Sequence, residues 1–533
     1  MNAIGEQIRA RLPFQRRNAA SLSLLVFAMV LTLSAFAEVG LARDGRLPLG
    51  LPVYGGGLAV LALVAYVVQA KFAPYADPLL LPLAVALNGV GLAMIYRLDL
   101  DTSKDKQAAL STGEAAKDAA DAPGQLMWTF VGIALFVAAV LVMRDTDKSD
   151  ARLSFTPKTA QRYTYLTGAG AIILLLLPIA PVIGTSINGA RVWIRIGTFS
   201  VQPGEFAKIM LVVFFAGYLV SKRQAMSLIG KKFGPLSLPR ARDLGPIVVI
   251  WLFCLGVLFV QRDLGTALLF FGLFISMLYI ATQRISWVMI GVGLLAIGVF
   301  IATLLPFMRH VDQRIDIWQN PGPYFDGGCL VDGRVIPVHP DTDLYKQEVA
   351  RSGQALGAGL RVCNRMNGEY ADSAQLLKGL FSLGEGGVLG TGLGQGEPWR
   401  TPLSFSDFIF DSLGEEIGLT GLMALLMMYA LIMQRGMKTA LTARDPFLKL
   451  FAGGVSFVLA LQVFVIVGGV TGLIPLTGLT TPFLSQGGSS LMANWILIAI
   501  LVRMSHDARK PAPQAIQEEG MTQIVSTRSS HST

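Results

Sequence analysis

The chain has 533 residues, 53% hydrophobic and only 15% charged, with 44 Lys and Arg against 35 Asp and Glu and a formal net charge of +9. That composition excludes a water-soluble domain. Uncharged apolar runs of about twenty residues recur along it, each long enough to cross a hydrocarbon core of ~30 Å as a helix. They are too long and uniform for barrel strands, and a backbone in lipid must satisfy its own hydrogen bonds, so the expected fold is all-α and polytopic.

In chain order, about twelve transmembrane helices are predicted near 20–41, 50–71, 76–97, 125–143, 163–187, 205–220, 246–260, 264–281, 285–307, 407–433, 449–470 and 487–503. The pairs 50–71/76–97 and 246–260/264–281 are joined by very short turns. Ala35-Phe36-Ala37 has the spacing of a signal-peptidase site. The loop parity works with the first helix kept, so that helix is expected to be retained. Lys and Arg in short loops set orientation. Lys222, Arg223, Lys231, Lys232, Arg240 and Arg242 mark 221–243 as cytoplasmic, with 144–162 and 434–448, and Arg9, Arg11, Arg16 and Arg17 keep the N-terminus (1–19) inside. Segment 98–124 is then a flexible external loop, 308–405 a large extracytoplasmic loop, and 506–533 a disordered cytoplasmic tail. The positive charge is a topology signal and does not imply nucleic acid.

Cys254 falls inside a span and is expected to be an inert core residue. Cys329 and Cys363 fall in the external loop, where oxidising conditions permit a disulfide.

Four polar segments interrupt the apolar pattern. In Asn188–Lys208, Pro203 sits where a helix would begin. Glu205 and Lys208 share a face at i, i+3; the pair either locks two helices or lines a site. Trp193 suits a membrane interface, and Arg191 and Arg195, on the outer side against the positive-inside trend, suit a pyrophosphate headgroup. In Gln261–Ala267, Asp263 either caps a helix or walls a site. In the re-entry helix, Asp407, Asp411 and Glu415 fall at i, i+4, i+8, a carboxylate stripe that cannot face lipid. Asp407 is expected to be catalytic and the other two structural. The glycine run 384–396 before it is flexible enough to pass close to a ligand. In Gly472–Ser490, prolines and glycines at membrane depth require irregular backbone covered by protein or lining a cavity. All four segments lie on the same side of the predicted topology.

Together these segments, across about 163–505, resemble the SEDS family, the RodA/FtsW/SpoVE-type proteins. The family's N-G-A-x-x-W-I…Q-P-S-E-F-A-K is matched at Asn188–Lys208 with Gly204 for Ser, and its Q-P-D-L-G-T at Gln261–Thr266 with Arg262 for Pro. Its H-T-D-F-I-F…G-E-E-x-G is matched at Phe405–Gly418 with Phe405 for His, and its G-L-x-P…S-Y-G-G-S-S at Gly472–Ser490 with Gln486 for Tyr. Two extra N-terminal spans and an insertion at 321–370 make the chain similar to the longer RodA-like proteins of actinobacteria. The resemblance implies a peptidoglycan glycosyltransferase in the cytoplasmic membrane that polymerises lipid II on the outer face, releases undecaprenyl pyrophosphate and serves cell elongation or division. It also implies a class B penicillin-binding protein, a transpeptidase, as partner. The family's essential aspartate falls on Asp407. Arg191, Trp193, Glu205 and Lys208 are implicated with it, and Arg195, Gln202, Asp263, Ser485 and Ser489 complete the expected substrate-binding set. Pyrophosphate chemistry leaves room for a divalent cation, Mg or Mn, with ligands unassigned. A lipid II flippase and a non-catalytic scaffold for a transpeptidase are the alternatives.

Overall fold

Apolar helices make up most of the computed structural model, which describes residues 2–112, 120–143, 157–181, 183–187, 190–197, 199–227, 231–233, 236–238, 241–304, 309–319, 328–331, 334–337 and 371–510. In order they are α1 (Asn2–Asp44), α2 (Gly57–Phe72), α3 (Leu80–Thr112), α4 (Ala122–Val142), α5 (Pro157–Arg162), α6 (Thr164–Leu176), α7 (Pro203–Ser227) and α8 (Ala241–Gln261). There follow α9 (Leu264–Thr282), α10 (Ser286–Leu304), α11 (Arg309–Gln319), α12 (Ala371–Gly386), α13 (Ile409–Thr442), α14 (Pro446–Val470) and α15 (Gly488–Arg509).

Among the described residues nine helices are long and apolar enough to cross a bilayer: those containing Arg17–Asp44, Pro52–Phe72, Leu80–Leu100, Ala122–Val142, Pro203–Lys222, Leu264–Thr282, Ile409–Thr442, Pro446–Val470 and Gly488–Arg509. The protein is a polytopic helical membrane protein. The three other expected spans coincide with shorter apolar stretches, Thr164–Ile179, Val248–Gln261 and Ser286–Phe300. The count of twelve is reached only by including them.

Helices α3 and α15 bury most of their length, whereas α1, α2 and α13 present exposed apolar residues such as Phe27, Val60 and Met427 to the surroundings. The first two are therefore the centre of the bundle and the last three its lipid-facing wall. Small residues let the backbones approach, as expected where no hydrophobic drive separates helix from lipid. A Cβ on Gly89 would sit 2.0 Å from Thr32 Oγ1, and one on Gly436 2.0 Å from Ser456 Oγ.

Several expected boundaries move. The span near 163–187 is cut short: α6 gives way to a 3-10 turn at Leu177–Ile179, and by Gly184 the chain is a strand. Pro178 and Pro181 remove the N–H groups a longer helix would need. The polar segment 98–124 is helical as far as Thr112, where α3 ends. The tail begins later than 506, because α15 runs on to Arg509. There Arg509 Nη2 donates to buried Asp77 at 2.6 Å, and His506 Nδ1 accepts from Tyr75 N at 3.0 Å, pinning the α2–α3 turn to the end of α15. Cys254 is free and buried, as expected. Cys363, one half of the expected Cys329–Cys363 bridge, lies outside the described residues, as do 113–119 and 511–533.

The 308–405 segment is not simply a loop. Its α11 and α12 pack on the bundle, Leu376 and Leu380 of α12 joining Ile317 of α11 in one apolar cluster. The glycine run that follows α12 has a structural task. Helix α13 is broken at Gly418 (φ 66°, ψ −176°), so the helix cannot satisfy its own backbone there. The run fills the gap: Thr391 N and Gly392 N donate to the Glu415 and Glu416 carbonyls at 2.9 Å each, while Leu419 N and Thr420 N donate to the Gly387 and Val388 carbonyls at 3.0 and 3.1 Å. A Cβ on Gly390 (φ 84°) would lie 2.2 Å from Glu416 O, so only glycine admits this contact. The run expected to pass close to a ligand thus forms a clasp on α13.

An ion pair shut away from solvent secures the clasp. Arg97 of α3 donates through Nε to Glu416 Oε1 at 3.0 Å and through Nη2 to Gly396 O at 2.8 Å, and Gly394 N donates to Glu416 Oε2 at 2.9 Å. Neither Arg97 nor Glu416 has an exposed side chain. Glu415 accepts from Ser382 Oγ at 2.6 Å and from Glu397 N. Removing one partner of such a pair leaves an uncompensated buried charge. Arg97→Met is therefore expected to destabilise the protein by about 3–5 kcal/mol, read as a lower thermal midpoint in detergent. The double variant Arg97→Met/Glu416→Leu, with neither charge left, is expected to recover part of that loss.

Candidate active site

Between the end of α14 and the start of α15 the chain runs for a stretch without regular structure, 471–487. Prolines at 475 and 482 and left-handed Gly472 (φ 73°) and Gly478 (φ 71°) prevent a helix here. Its polar backbone must then be satisfied from outside, and the surrounding helices do so. Trp318 Nε1 donates to Gly472 O at 2.8 Å and Arg314 Nη1 to Leu476 O at 2.9 Å, both from α11. Gln462 Nε2 of α14 donates to Thr480 O at 3.1 Å, and the Tyr429 hydroxyl of α13 to Pro482 O. Gln125 of α4 donates through Nε2 to Ser485 O at 3.2 Å and accepts from Gly487 N at 3.4 Å.

Asp407 sits against this segment. It is half-buried, in a turn ahead of α13, and Phe408 is the residue that caps the helix. The expected three-carboxylate stripe is therefore broken: only Asp411 and Glu415 are helical, because the chain at 403–408 is held as a turn by Ser406 N and Phe408 N donating to Leu403 O. Leu403 itself is left-handed at φ 53°, a strained conformation that persists only where its surroundings hold it. Ser406 Oγ donates to Asp407 Oδ1 at 3.0 Å, and Asp407 Oδ2 lies 3.7 Å from where a Cβ on Gly478 would be. Asp411 is fully buried, and neither of its carboxylate oxygens has a hydrogen-bond partner.

Most of the other expected residues converge on the same segment. Ser485 Oγ donates to Ser406 O at 2.7 Å. Ser489 Oγ accepts from the backbone N of Gln202 at 2.8 Å. Lys208, buried on α7, donates to Glu205 and, at 2.9 Å, to Gln462 Oε1. Through Gln462 the Glu205–Lys208 pair thus reaches Thr480 O, so it locks helices and also braces the site. Asp263 is the N-cap of α9, accepting from Thr266 N at 2.9 Å. Desolvation pushes its carboxyl above the usual carboxylate range, opposed by the Thr266 hydrogen bonds and the Arg314 guanidinium.

Arg191, Trp193 and Arg195 lie on a small antiparallel sheet, β1 (Gly184–Ile187), β2 (Ala190–Ile196) and β3 (Phe199–Val201), paired in that order. Alternation along β2 puts the three on one face, with Val192 and Ile194 buried on the other. Both arginines are exposed. The sheet leads through β3 directly into Gln202. Residues that sequence reasoning passed over are Arg97, Gln125, Arg314, Trp318, Tyr429 and Gln462. Arg97, Gln125 and Gln462 carried a signal, being polar side chains in apolar runs, where burial demands a partner.

The sequence profile of the FtsW/RodA/SpoVE cell cycle protein family matches residues 78–329 and 360–510. The chain belongs to this family. The peptidoglycan glycosyltransferase RodA of Mycobacterium tuberculosis is 40% identical over 500 residues, 94% of this chain and 92% of that one. The probable peptidoglycan glycosyltransferase FtsW of Geobacter metallireducens is 29% identical over 431 residues, 80% of this chain and 94% of that one. The crystal structure of the rod shape determining protein RodA of Thermus thermophilus aligns with a TM-score of 0.47 at 21% identity, over 82% of this chain and 98% of that one. A chain from a peptidoglycan synthase complex that coordinates polymerization and crosslinking aligns with a TM-score of 0.47 at 22% identity, over 86% of this chain and 98% of that one. In this family member helices α1 and α2 precede the matched region, and the mycobacterial relatives extend across nearly the whole chain.

The capping geometry separates two roles for Asp263. Asp263→Asn keeps a capping oxygen and is expected to unfold within error of the native protein, whereas Asp263→Ala is expected to lose about 1 kcal/mol, measured by thermal unfolding in detergent. Loss of activity in Asp263→Asn at unchanged stability would mean that the carboxylate charge itself serves the reaction.

Proposed function

We infer that this membrane protein is a peptidoglycan glycosyltransferase of the RodA type. The observation that carries this is 40% identity to mycobacterial RodA across 94% of the chain. The greater identity to RodA than to FtsW relatives supports a role in cell shape. Lipid II is the substrate, and Asp407 is the general base.

In the step we assign, Asp407 takes the proton from the 4-hydroxyl of the acceptor N-acetylglucosamine as that oxygen attacks the anomeric carbon of the donor N-acetylmuramic acid. A new glycosidic C–O bond forms, the C–O bond to phosphate breaks with inversion, and undecaprenyl pyrophosphate leaves with the electron pair. Asp407 suits the base because it is half-buried at the mouth of α13, in a turn whose position is fixed from several helices. Lys208 is buried and donates to Glu205 and Gln462. Stabilising the departing charge is assigned to exposed Arg191 and Arg195, whose guanidinium groups suit a diphosphate. Trp193 between them offers an aromatic surface at the membrane interface.

Among the described residues no three His, Cys, Asp or Glu side chains converge as a metal cage. A divalent cation would have to draw its ligands chiefly from the substrate's phosphates and water, as Mg²⁺ does at phosphate sites, and no step is assigned to it. The loop charges support an inner N-terminus and an active site on the outer face of the cytoplasmic membrane. The four polar motifs fall on one side of the topology read from the loop charges, which favours surface chemistry over a midplane transport site. A class B penicillin-binding protein is the partner this reading requires for crosslinking.

The deciding experiment is lipid II polymerisation by purified Asp407→Asn. Loss of a positioned base is expected to lower the rate by roughly 10²–10⁴-fold with expression and folding unchanged. Polymerisation at the native rate would end the assignment.

A further inference from the structure

We propose that Ser485 is a positioning residue for Asp407, its hydroxyl fixing the peptide bond that joins Ser406 to Asp407. This rests on the reading of Asp407 as the base.

Sequence reasoning placed Ser485 against the substrate; in the fold its hydroxyl hydrogen is already committed to the backbone beside Asp407. A serine hydroxyl has one hydrogen to donate. Ser485 donates it to Ser406 O at 2.7 Å and accepts from Thr481 N at 2.7 Å. The side chain is buried at 4% exposure. The Ser406 carbonyl belongs to the amide immediately before Asp407, so this hydrogen bond sets the plane from which the Asp407 side chain departs. The neighbouring carbonyl is held as well, Gln486 N donating to Phe405 O at 2.8 Å.

Asp407 needs such external support. Helix α13 begins at Ile409, so helical hydrogen bonding does not orient residue 407. One side of the turn is closed internally by Ser406 N donating to Leu403 O at 2.9 Å. The other side depends on Ser485 and Gln486. Ser485 is held in turn: its N donates to Thr481 O at 3.1 Å, and its carbonyl accepts from Gln125 Nε2 of α4 at 3.2 Å. The base is therefore located by the irregular segment and by α4, and its own helix has little part in it. Displacing a catalytic group by about 1 Å can cost on the order of 10²-fold in rate.

The test is steady-state lipid II polymerisation by the purified full-length chain. Ser485→Ala is expected to lower kcat by about 10²-fold with KM little changed. Ser485→Thr, which restores a hydroxyl, is expected to return kcat to within a few-fold of native. Ser485→Cys, similar in size but a weak donor, is expected to fall between them and serves if the alanine variant does not fold. Adding Ser485→Ala to Asp407→Asn is expected to cost nothing further, since residues acting as one unit are non-additive. A raised KM at native kcat would overturn the proposal in favour of a substrate contact. A lower melting temperature with native kcat per folded molecule would overturn it in favour of a purely structural role. Asp407→Asn alone separates the two readings. If it polymerises normally the base assignment fails, whereas if it is inactive while Ser485→Ala is native, only the positioning role fails.

Discussion

A backbone that is neither helix nor strand has to find a hydrogen-bond partner for each of its polar groups, and inside a membrane protein water is not at hand to supply them. Segment 471–487 poses that demand in this molecule. Side chains of Trp318, Arg314, Gln462, Tyr429 and Gln125 answer it from four different helices, α11, α14, α13 and α4. Because those partners come from so many directions, the segment ties the helices into one frame. Asp407, Gln202, Lys208 and Ser489 take their positions from that frame.

The break at Gly418 is a second solution to the same problem. There the missing helical bonds are replaced by backbone from a glycine-rich strap, and the buried pair Arg97–Glu416 holds the strap to α3. The strap also reaches the N-terminal extension, where a Cβ on Gly394 would lie 3.0 Å from Ala42 Cβ of α1. The first helix thus supports the same end of α13 that follows the Asp407 turn, although it lies outside the region matched by the family profile. Buried charge is spent on architecture here: Glu415, Glu416, Glu205 and Lys208 all have partners in the frame. The charges of Arg191 and Arg195 remain exposed.

Much of this was legible along the chain. Apolar runs located the helices, Pro203 marked the start of α7, and Asp263 was readable as a cap because a cap needs only residues a few positions apart. Less local features were misread. The i, i+4, i+8 spacing suggested one carboxylate face, but the helix starts two residues after Asp407, since Leu403 closes a turn there. The clasp made by the glycine run was not readable, because nothing in its own sequence reveals that its partner is the broken turn at Gly418. The hydrogen bond from Ser485 to Ser406 was hidden for the same reason.

The sequence by itself determined the polytopic helical class, the family and the catalytic candidate Asp407, because hydropathy and short ordered motifs are written in neighbouring residues. Only the tertiary structure decided which polar groups face each other. Gln125 meets Ser485 across 360 residues of chain, and Arg97 meets Glu416 across 319. Whether a buried donor finds its acceptor is a matter of three-dimensional distance, and no periodicity along the chain encodes it.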